Sequence, residues 1–304
     1  MSQESILAVE KLGKRFGDKT VLQDVSFTAI EGEIVGFVGQ NGSGKTTTIK
    51  IIIGLMEKTA GEVTVCGEKV KYGRVGTNRH IGYLPDVPEF YNYMRPKEYL
   101  TLHAKIAGID KANRAARVDE LMELVGLGTN KKIGTFSRGM KQRLGVAQAL
   151  VSRPKLLICD EPTSALDPMG RHELLNTFQR IKHETTVVFS THILSDVERI
   201  SDKVVILHEG SIKYTGSIDA LKDRYTKIDK VLIVLPSPED AKKLTAALGG
   251  KVDSHNGNEV VVRCSYESEE FYSLIKNIEQ AGVVPRKIEM SEPDLEELFV
   301  EMAS

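Results

Sequence analysis

A glycine-rich segment from Gly39 to Thr46 combines residue types that could bind phosphate. It reads Gly-Gln-Asn-Gly-Ser-Gly-Lys-Thr and fits the spacing G-x-x-x-x-G-K-[ST]. Its glycines allow the backbone to curl so that successive N–H groups face one anion. Lys45 is then expected to reach the β- and γ-phosphates of a nucleotide, and the Thr46 hydroxyl to ligate Mg²⁺. The alternative is a glycine-rich turn with a surface lysine, but every fixed position matches, which favours the phosphate loop.

Two adjacent carboxylates, Asp160 and Glu161, follow the apolar run Leu156–Cys159. Side chains alternate along a strand, so the two acids are expected to have different roles. Asp160 is predicted to hold Mg²⁺, and Glu161 to polarise an attacking water as a general base, a role worth roughly 10²- to 10⁴-fold in rate. Such a pair is by itself more often a helix N-cap. Its place downstream of a phosphate loop favours the catalytic interpretation.

These residues need a scaffold that brings the ends of separate strands together. Up to about residue 225, short apolar runs alternate with helical patterns, which predicts an α/β fold with a parallel sheet covered on both faces. Such sheets bind ligands at the carboxyl ends of their strands, where the glycine loop lies. Strands are predicted over 6–12, 25–30, 33–38, 62–65, 81–84, 155–160, 186–190 and 203–207. Helices are predicted after the loop, within 95–150 and over 171–182.

A second unit is predicted to follow, which gives the domains 1–225 and 226–304. Its order, strand-helix-strand-strand-helix-strand, is that of a small ferredoxin-like α+β domain. Strands are predicted over 231–235, 251–254, 259–263 and 283–288, with an Asn-Gly hairpin turn at 255–258. A last helix is predicted to begin at Ser291, with Asp294 in capping-box position and an apolar stripe of Leu295, Leu298, Phe299 and Met302.

Composition and charge are those of an ordinary globular protein without a membrane-spanning segment. With 304 residues, 41% hydrophobic content and 27% charged residues, the chain is globular and long enough for two domains. A net charge of −1 gives no strong overall field to recruit nucleic acid or an anionic membrane. The three cysteines lack metal-ligand spacing and are interpreted as packing residues in a reducing compartment. No signal-peptide pattern and no run of about 20 apolar residues is visible, so a cytoplasmic location is expected.

Further motifs resemble one family, the ATP-binding-cassette (ABC) ATPases. Phe136–Arg143 resembles their signature motif, and Ser164–Asp167 resembles their D-loop. Ser190–His192 resembles their switch-histidine motif, and Phe16 lies where they stack an aromatic ring on adenine. The order and spacing of these motifs match the family across residues 4–225. The resemblance implies a P-loop NTPase cassette with a parallel core sheet, an antiparallel β subdomain and a helical subdomain at about 88–152.

The resemblance also implies a composite site. Two copies of the chain would dimerise head to tail and bury two ATP molecules, each between the phosphate loop of one copy and the signature helix of the other. Glu161 and His192 would be catalytic, and Thr46, Asp86 and Asp160 would bind Mg²⁺. The expected ATP-binding residues are Phe16, Gly39, Gln40, Asn41, Gly42, Ser43, Gly44, Lys45, Thr46, Thr47, Ser137, Arg138, Gly139, Met140 and Asp167.

The chain departs from the family pattern at three positions. The signature usually has glycine where Arg138 stands and glutamine where Met140 stands, and the lid loop usually has glutamine in place of Asp86. Similar departures occur in bacterial exporters of drugs, antibiotics, ions or lipids whose ATPase and membrane subunits are separate chains. The tail Glu292–Phe299 resembles the ending of those ATPases. The C-terminal domain is interpreted as a stabilising or dimerising appendage, with a regulatory role as the alternative.

The implied partners are a second copy of the chain and a separate polytopic membrane permease, with no nucleic acid. The chain would then be peripheral on the inner face of the cell membrane, attached through the permease. Family members receive a permease helix where this chain has Pro88, Phe90, Tyr91 and Tyr93, although core packing explains any single aromatic equally well. The alternatives are a soluble ABC ATPase that acts on ribosomes or DNA and an ATP-sensing module with weak hydrolysis. Intact Glu161 and His192 argue against the ATP-sensing module.

Overall fold

The computed structural model describes residues 5–74, 76–164, 166–225, 230–264 and 269–291. The chain divides into two compact units, Met1–Ile218 and Asp219–Ser304. The strands of the first unit are β1 (Ser5–Phe16), β2 (Lys19–Ile30), β3 (Ile34–Val38), β4 (Ala60–Val65), β5 (Glu68–Lys69), β6 (Ile81–Leu84), β7 (Leu156–Asp160), β8 (Thr186–Thr191), β9 (Lys203–His208) and β10 (Ser211–Gly216). Its helices are α1 (Lys45–Ile52), α2 (Pro96–Ile106), α3 (Lys111–Leu124), α4 (Arg138–Ala149), α5 (Pro168–Ile181) and α6 (Leu194–Ile200).

A six-stranded sheet in the order β10-β9-β3-β8-β7-β6 forms the centre of the first unit. Strands β6, β7, β8, β3 and β9 run parallel, which confirms the predicted parallel core. Strand β10 was not predicted, and it adds an antiparallel edge beside β9. Because β3, β7 and β8 end at the same edge, the segments that follow them meet there.

Different layers cover the two faces of this sheet. Side chains from one face of β3, β7, β8 and β9 share a buried core with α1 and an antiparallel sheet of order β2-β1-β4-β5. On the other face, Phe178 of α5 packs against Phe189 of β8, with ring centroids 6.0 Å apart. Helix α6, which was not predicted, packs so closely on β3 that a Cβ at Gly36 would lie 2.5 Å from Val197 Cγ1.

The second unit has the predicted order of elements. Helix α7 (Ile218–Tyr225) leads to β11 (Lys230–Val234), α8 (Pro238–Leu248), β12 (Val252–Asn256), β13 (Glu259–Arg263), α9 (Glu269–Gln280) and β14 (Lys287–Ser291). The strands form one antiparallel sheet in the order β12-β13-β11-β14. Assignment of this unit to the ferredoxin-like fold stays a prediction.

Two boundaries in the second unit differ from the prediction. The last strand begins at Lys287 rather than Val283, because Pro285 has no N–H for a ladder and Val283 instead fills the core below α9. The hairpin turn is Gly257-Asn258, since Asn256 already pairs with Glu259. Gly257 has a φ of 60°, which suits the first turn position. The helix predicted after Ser291 and the Glu292–Phe299 tail lie outside the described residues.

Candidate functional site

The glycine loop leaves β3 at the carboxyl edge of the sheet and leads directly into α1. Close packing requires glycine at position 39, where a Cβ would lie 2.4 Å from Leu207 O and 2.5 Å from Ser43 Oγ. Gly44 has a φ of 113°, a conformation that other residues rarely adopt. Gly44 also caps α1 without a side-chain hydrogen bond, and the first turn has no acidic residue. The free N–H groups and positive dipole of α1 are therefore available to an anion.

Lys45 lies within this loop with only 5% of its surface exposed. Its ammonium donates to the carbonyls of Gly39, at 2.6 Å, and Gln40, at 3.2 Å. It also pairs with Glu161 Oε1 at 3.2 Å. The buried Ser43 hydroxyl has no hydrogen-bond partner among the described residues. A lysine and an unpartnered hydroxyl in a curled backbone suit the phosphates of a nucleotide.

Glu161 lies between two other candidate site residues. One carboxylate oxygen faces Lys45, and the other lies 2.8 Å from His192 Nδ1. The Glu161 backbone has a φ of 47°, in the left-handed region that is unfavourable for a residue with a side chain. Its N–H donates to the Ser190 hydroxyl at 3.0 Å, which helps to hold this conformation. Such outliers persist where surrounding contacts fix them, often in functional sites.

Thr46 and Asp160 bring together two oxygen atoms of the kind that Mg²⁺ prefers as ligands. Thr46 Oγ1 donates to Asp160 Oδ1 at 3.3 Å, and the Ser190 hydroxyl donates to the same oxygen at 2.7 Å. Among the described residues, no group of three or more His, Cys, Asp or Glu side chains could hold a metal. The pair nevertheless fits Mg²⁺, which is usually bound through one or two protein oxygens together with water and substrate phosphates.

Asp86, the third expected metal ligand, has other partners in the structure. Its Oδ1 accepts from the Ser164 hydroxyl at 3.3 Å and lies 3.7 Å from Arg138 Nη2. Its backbone carbonyl accepts from the buried Gln142 amide at 2.7 Å. Two of the three residues that depart from the family pattern, Asp86 and Arg138, are therefore paired across the lid loop and the signature helix.

The signature residues begin helix α4. Ser137 is its N-cap, and the Ser137 hydroxyl accepts from the Met140 N–H at 3.2 Å. Arg138 and Gly139 form the first turn, and Asp167 caps α5 by accepting from the Gly170 N–H at 3.3 Å. Within the described part of the chain, no hydrogen bond or ion pair joins Ser137–Met140 to the glycine loop. One copy of the chain thus brings together only part of the predicted set.

Phe16 and the remaining loop residues lie near the surface. The Phe16 ring is 48% exposed, and the Lys14 ammonium lies 4.7 Å from its centroid. Gln40, Asn41 and Gly42 are exposed, whereas Thr47 is half-buried in the first turn of α1. An exposed aromatic face is compatible with stacking on a base.

Sequence reasoning missed the roles of three polar residues around the site. Ser190 connects Asp160 to the Glu161 backbone, because it is the partner of Asp160 in the β7–β8 register. Buried Thr163 and Asp196 form a hydrogen bond of 2.6 Å close to Glu161 and His192. No periodicity distinguishes Asp196 from a surface acid, so the sequence offers no signal for it.

Comparisons with known proteins identify similar chains. The family model described as ABC transporter matches residues 22–164. An uncharacterised ABC transporter ATP-binding protein, YxlF of Bacillus subtilis, is 43% identical over 72% of this chain and 73% of its own length. The bacitracin transport ATP-binding protein BcrA of Bacillus licheniformis is 36% identical over 98% of this chain and 97% of its own.

Solved structures show the same fold. A structure described as the ATP-binding subunit of an ABC transporter superposes with a TM-score of 0.66 at 35% identity. The match covers 73% of this chain and 93% of that one. In the described part of the present chain, no helix is both long enough and apolar enough to span a bilayer.

Proposed function

The chain belongs to the ABC transporter family as an ATP-binding and ATP-hydrolysing subunit, and from that premise we propose that it powers an exporter through a separate permease. The observation that carries the mechanism is the position of Glu161 between Lys45 and His192, at the edge where β3, β7 and β8 end. This arrangement supports a role for Glu161 as a general base beside the phosphate loop.

We assign each residue a role from its chemistry and from its match to the motifs of the family. The loop amides and Lys45 bind the β- and γ-phosphates, and Phe16 stacks on adenine. Glu161 accepts a proton from the attacking water, while His192 contacts the γ-phosphate and keeps the Glu161 carboxylate in place. Thr46 and Asp160 would hold Mg²⁺, with Asp86 as a further candidate. When bound, Mg²⁺ would neutralise charge on the phosphate oxygens.

The signature residues at the start of α4 support a head-to-tail dimer. Ser137, Arg138, Gly139 and Met140 begin a helix whose N-terminus suits a γ-phosphate, yet they make no described polar contact with the loop of their own chain. A second copy would present this helix to the loop, and two-fold symmetry would give two equivalent sites. ATP would then close the dimer, and hydrolysis would open it.

A groove supports attachment to a permease. Its volume is 520 Å³, and the lining residues are Val87, Pro88, Glu89, Phe90, Asn92, Phe136, Arg138 and Lys141. This is the region in which the family receives a helix of the membrane subunit. Tyr91 and Tyr93 are exposed nearby, with 53% and 71% of their surfaces accessible. Attachment there would make the chain peripheral on the inner face of the membrane. The relative named for bacitracin transport supports export of an antibiotic-like solute.

The domain organisation that we propose is a cassette over 1–225 and an accessory domain over 226–304. The two compact units divide at Ile218, close to this boundary, and the second has a core of its own. The accessory domain would stabilise the chain or its dimer.

Glu161→Gln tests the mechanism. We expect loss of ATP turnover by about 10²-fold or more, retention of ATP binding, and accumulation of an ATP-bound dimer that light scattering detects. Glu184→Gln is the matched control, because Glu184 is exposed and lies before β8, at the opposite edge of the sheet. A Glu161→Gln chain that stays monomeric in saturating MgATP and keeps normal turnover would overturn the mechanism.

Purification of the tagged chain from detergent-treated membranes tests the exporter assignment. We expect a polytopic membrane protein to copurify. Ribosomes or DNA in its place would favour a soluble ATPase and contradict the exporter.

A further inference from the structure

A buried hydrogen bond connects the two segments that carry Glu161 and His192. Thr163 Oγ1 donates to Asp196 Oδ2 at 2.6 Å. Thr163 lies two residues after Glu161, and Asp196 lies four residues after His192 in the first turn of α6. Thr163 has 0% of its surface exposed and Asp196 has 2%, so water does not compete for this bond.

An ionised carboxylate at this buried position costs free energy, because it has lost its hydration. Burial raises the pKa of Asp196 above its usual value, and the Thr163 hydrogen bond and the positive charges of Arg171 and Arg199 offset only part of this effect. Arg171 Nε lies 3.7 Å from Asp196 Oδ1, which is too far for a hydrogen bond. Arg171 belongs to α5, which follows the D-loop, so Asp196 faces charges from a third segment. A buried acid with incomplete pairing is unfavourable for stability alone.

The backbone of Glu161 explains why such an anchor is useful. Its left-handed conformation, with a φ of 47°, must be held from both sides. On the N-terminal side of Glu161, its own N–H donates a hydrogen bond of 3.0 Å to the Ser190 hydroxyl. On the C-terminal side of Glu161, the hydrogen bond to Asp196 holds Thr163 in place. Only Pro162 separates Glu161 from Thr163, and its ring fixes its φ angle. The backbone between the Thr163–Asp196 hydrogen bond and Glu161 therefore has little conformational freedom.

We propose that Asp196 is a positioning residue for ATP hydrolysis, which acts through Thr163 to hold Glu161 at a fixed distance from His192. Asp196 itself does not touch the nucleotide. The inference rests on the proposed roles of Glu161 and His192, and it adds the device that keeps them in register. Without the bond, the segment after Glu161 can relax towards an ordinary backbone conformation and move the carboxylate away from the attacking water.

Thr163→Val is the most direct test, because valine has nearly the shape of threonine and lacks the hydroxyl. We expect kcat to fall on the order of ten- to a hundredfold, since small displacements of a catalytic group have effects of this size. The affinity for a non-hydrolysable ATP analogue should stay unchanged, because the phosphate loop is intact. Thr163→Ser restores a hydroxyl and should recover most of the lost turnover.

Thr185→Val is the matched control. The Thr185 hydroxyl donates to the Pro154 carbonyl at 2.9 Å and is also buried. This bond joins the segments that precede β7 and β8, whereas the Thr163 bond joins the segments that follow them. Each variant therefore removes one buried hydroxyl that joins the segments next to β7 and β8, at opposite ends of these strands. Equal losses of kcat in Thr163→Val and Thr185→Val would mean a general effect of stability and would overturn the proposal.

Asp196→Ala gives a second measurement that does not depend on how Thr163→Val folds. We expect a loss of kcat similar to that in Thr163→Val, and little further loss in the double variant, because both changes remove the same bond. Additive losses, or wild-type turnover in either single variant, would contradict the proposal. Glu161→Gln measured in parallel separates the two hypotheses. If Glu161→Gln is inactive and Thr163→Val is normal, the positioning role fails and the proposed function stands.

Discussion

Asp86 and Arg138 show how two unusual residues can compensate each other. Asp86 carries a negative charge in the lid loop, and the Arg138 guanidinium supplies a positive charge 3.7 Å away. Both side chains are about half exposed, so the pair adds little to stability. Its effect should instead be on the charge that the lid loop presents to MgATP.

We predict that Asp86→Gln changes turnover and its Mg²⁺ dependence several-fold, because it removes a potential metal ligand and leaves Arg138 without its counter-charge. Steady-state ATPase rates over a Mg²⁺ titration measure both effects. Arg138→Gly is the companion variant, and the double variant restores the usual family residues at both positions. Kinetics identical to wild type in Asp86→Gln would mean that Asp86 lies outside the site.

Cys159 provides a test of the core beside the acidic pair. It is fully buried in β7, and burial raises the pKa of its thiol well above the usual value. The neighbouring Asp160 charge acts in the same direction. We predict that iodoacetamide modifies half-buried Cys66 in the native protein and reaches Cys159 only after unfolding, as peptide mass spectrometry would show. Early modification of Cys159 would contradict a closed sheet.

At the scale of elements, hydrophobic patterns predicted the strands that position the site. The apolar runs of β3, β7 and β8 could be recognised because both faces of these strands are buried. Helix α6 was missed because its seven residues are too few to show a helical period. Strand β10 was missed because it is an edge strand with exposed polar residues.

The site was predictable where the chemistry depends on residue type and spacing. Lys45, Asp160, Glu161 and His192 were selected from the sequence and lie together at one edge of the sheet, while their roles stay predictions. The left-handed backbone of Glu161 and the burial of Asp196 depend on tertiary contacts, which sequence spacing does not encode. The pairing of Asp86 with Arg138 likewise depends on the packing of α4 beside β6.

Gly36 tests how α6 is positioned after His192. A Cβ at this position would lie 2.5 Å from Val197 Cγ1 and 2.9 Å from Ser201 Oγ. We predict that Gly36→Ala lowers the free energy of unfolding by about 1–3 kcal/mol through overpacking. Turnover should also fall, because α6 carries Asp196. Denaturant unfolding and ATPase assays measure these effects. Gly128→Ala is the control, since a Cβ there meets no atom within 4 Å. Equal stability of the two variants would contradict the close packing.

At the scale of the whole molecule, the chain has two units with separate cores. Among the described residues, the core cluster of the second unit runs from Val231 to Val283 and includes Leu244 of α8 and Val262 of β13. A truncated core side chain in one unit is therefore expected to lower the stability of that unit. The candidate site residues all belong to the first unit.

We predict that Leu244→Ala destabilises the second unit by about 2–5 kcal/mol, as expected for a truncated core leucine, and leaves ATP-analogue affinity unchanged. Hydrogen exchange at the amides of β11 and β13 measures the first effect, and nucleotide titration measures the second. Lys242→Ala on the exposed side of α8 is the control. A loss of nucleotide affinity in Leu244→Ala alone would show that the second unit affects the site.

The ion pair of Lys45 with Glu161 means that the phosphate loop carries its own counterion. The carboxylate is tethered 3.2 Å from the ammonium, so its effective concentration there is high. A weakly bound free anion competes poorly with such a partner, whereas a polyphosphate that also engages the loop amides can displace it. In the mechanism that we propose, Glu161 leaves Lys45 when the phosphates of ATP enter the loop, so the base would become available only in a loaded site.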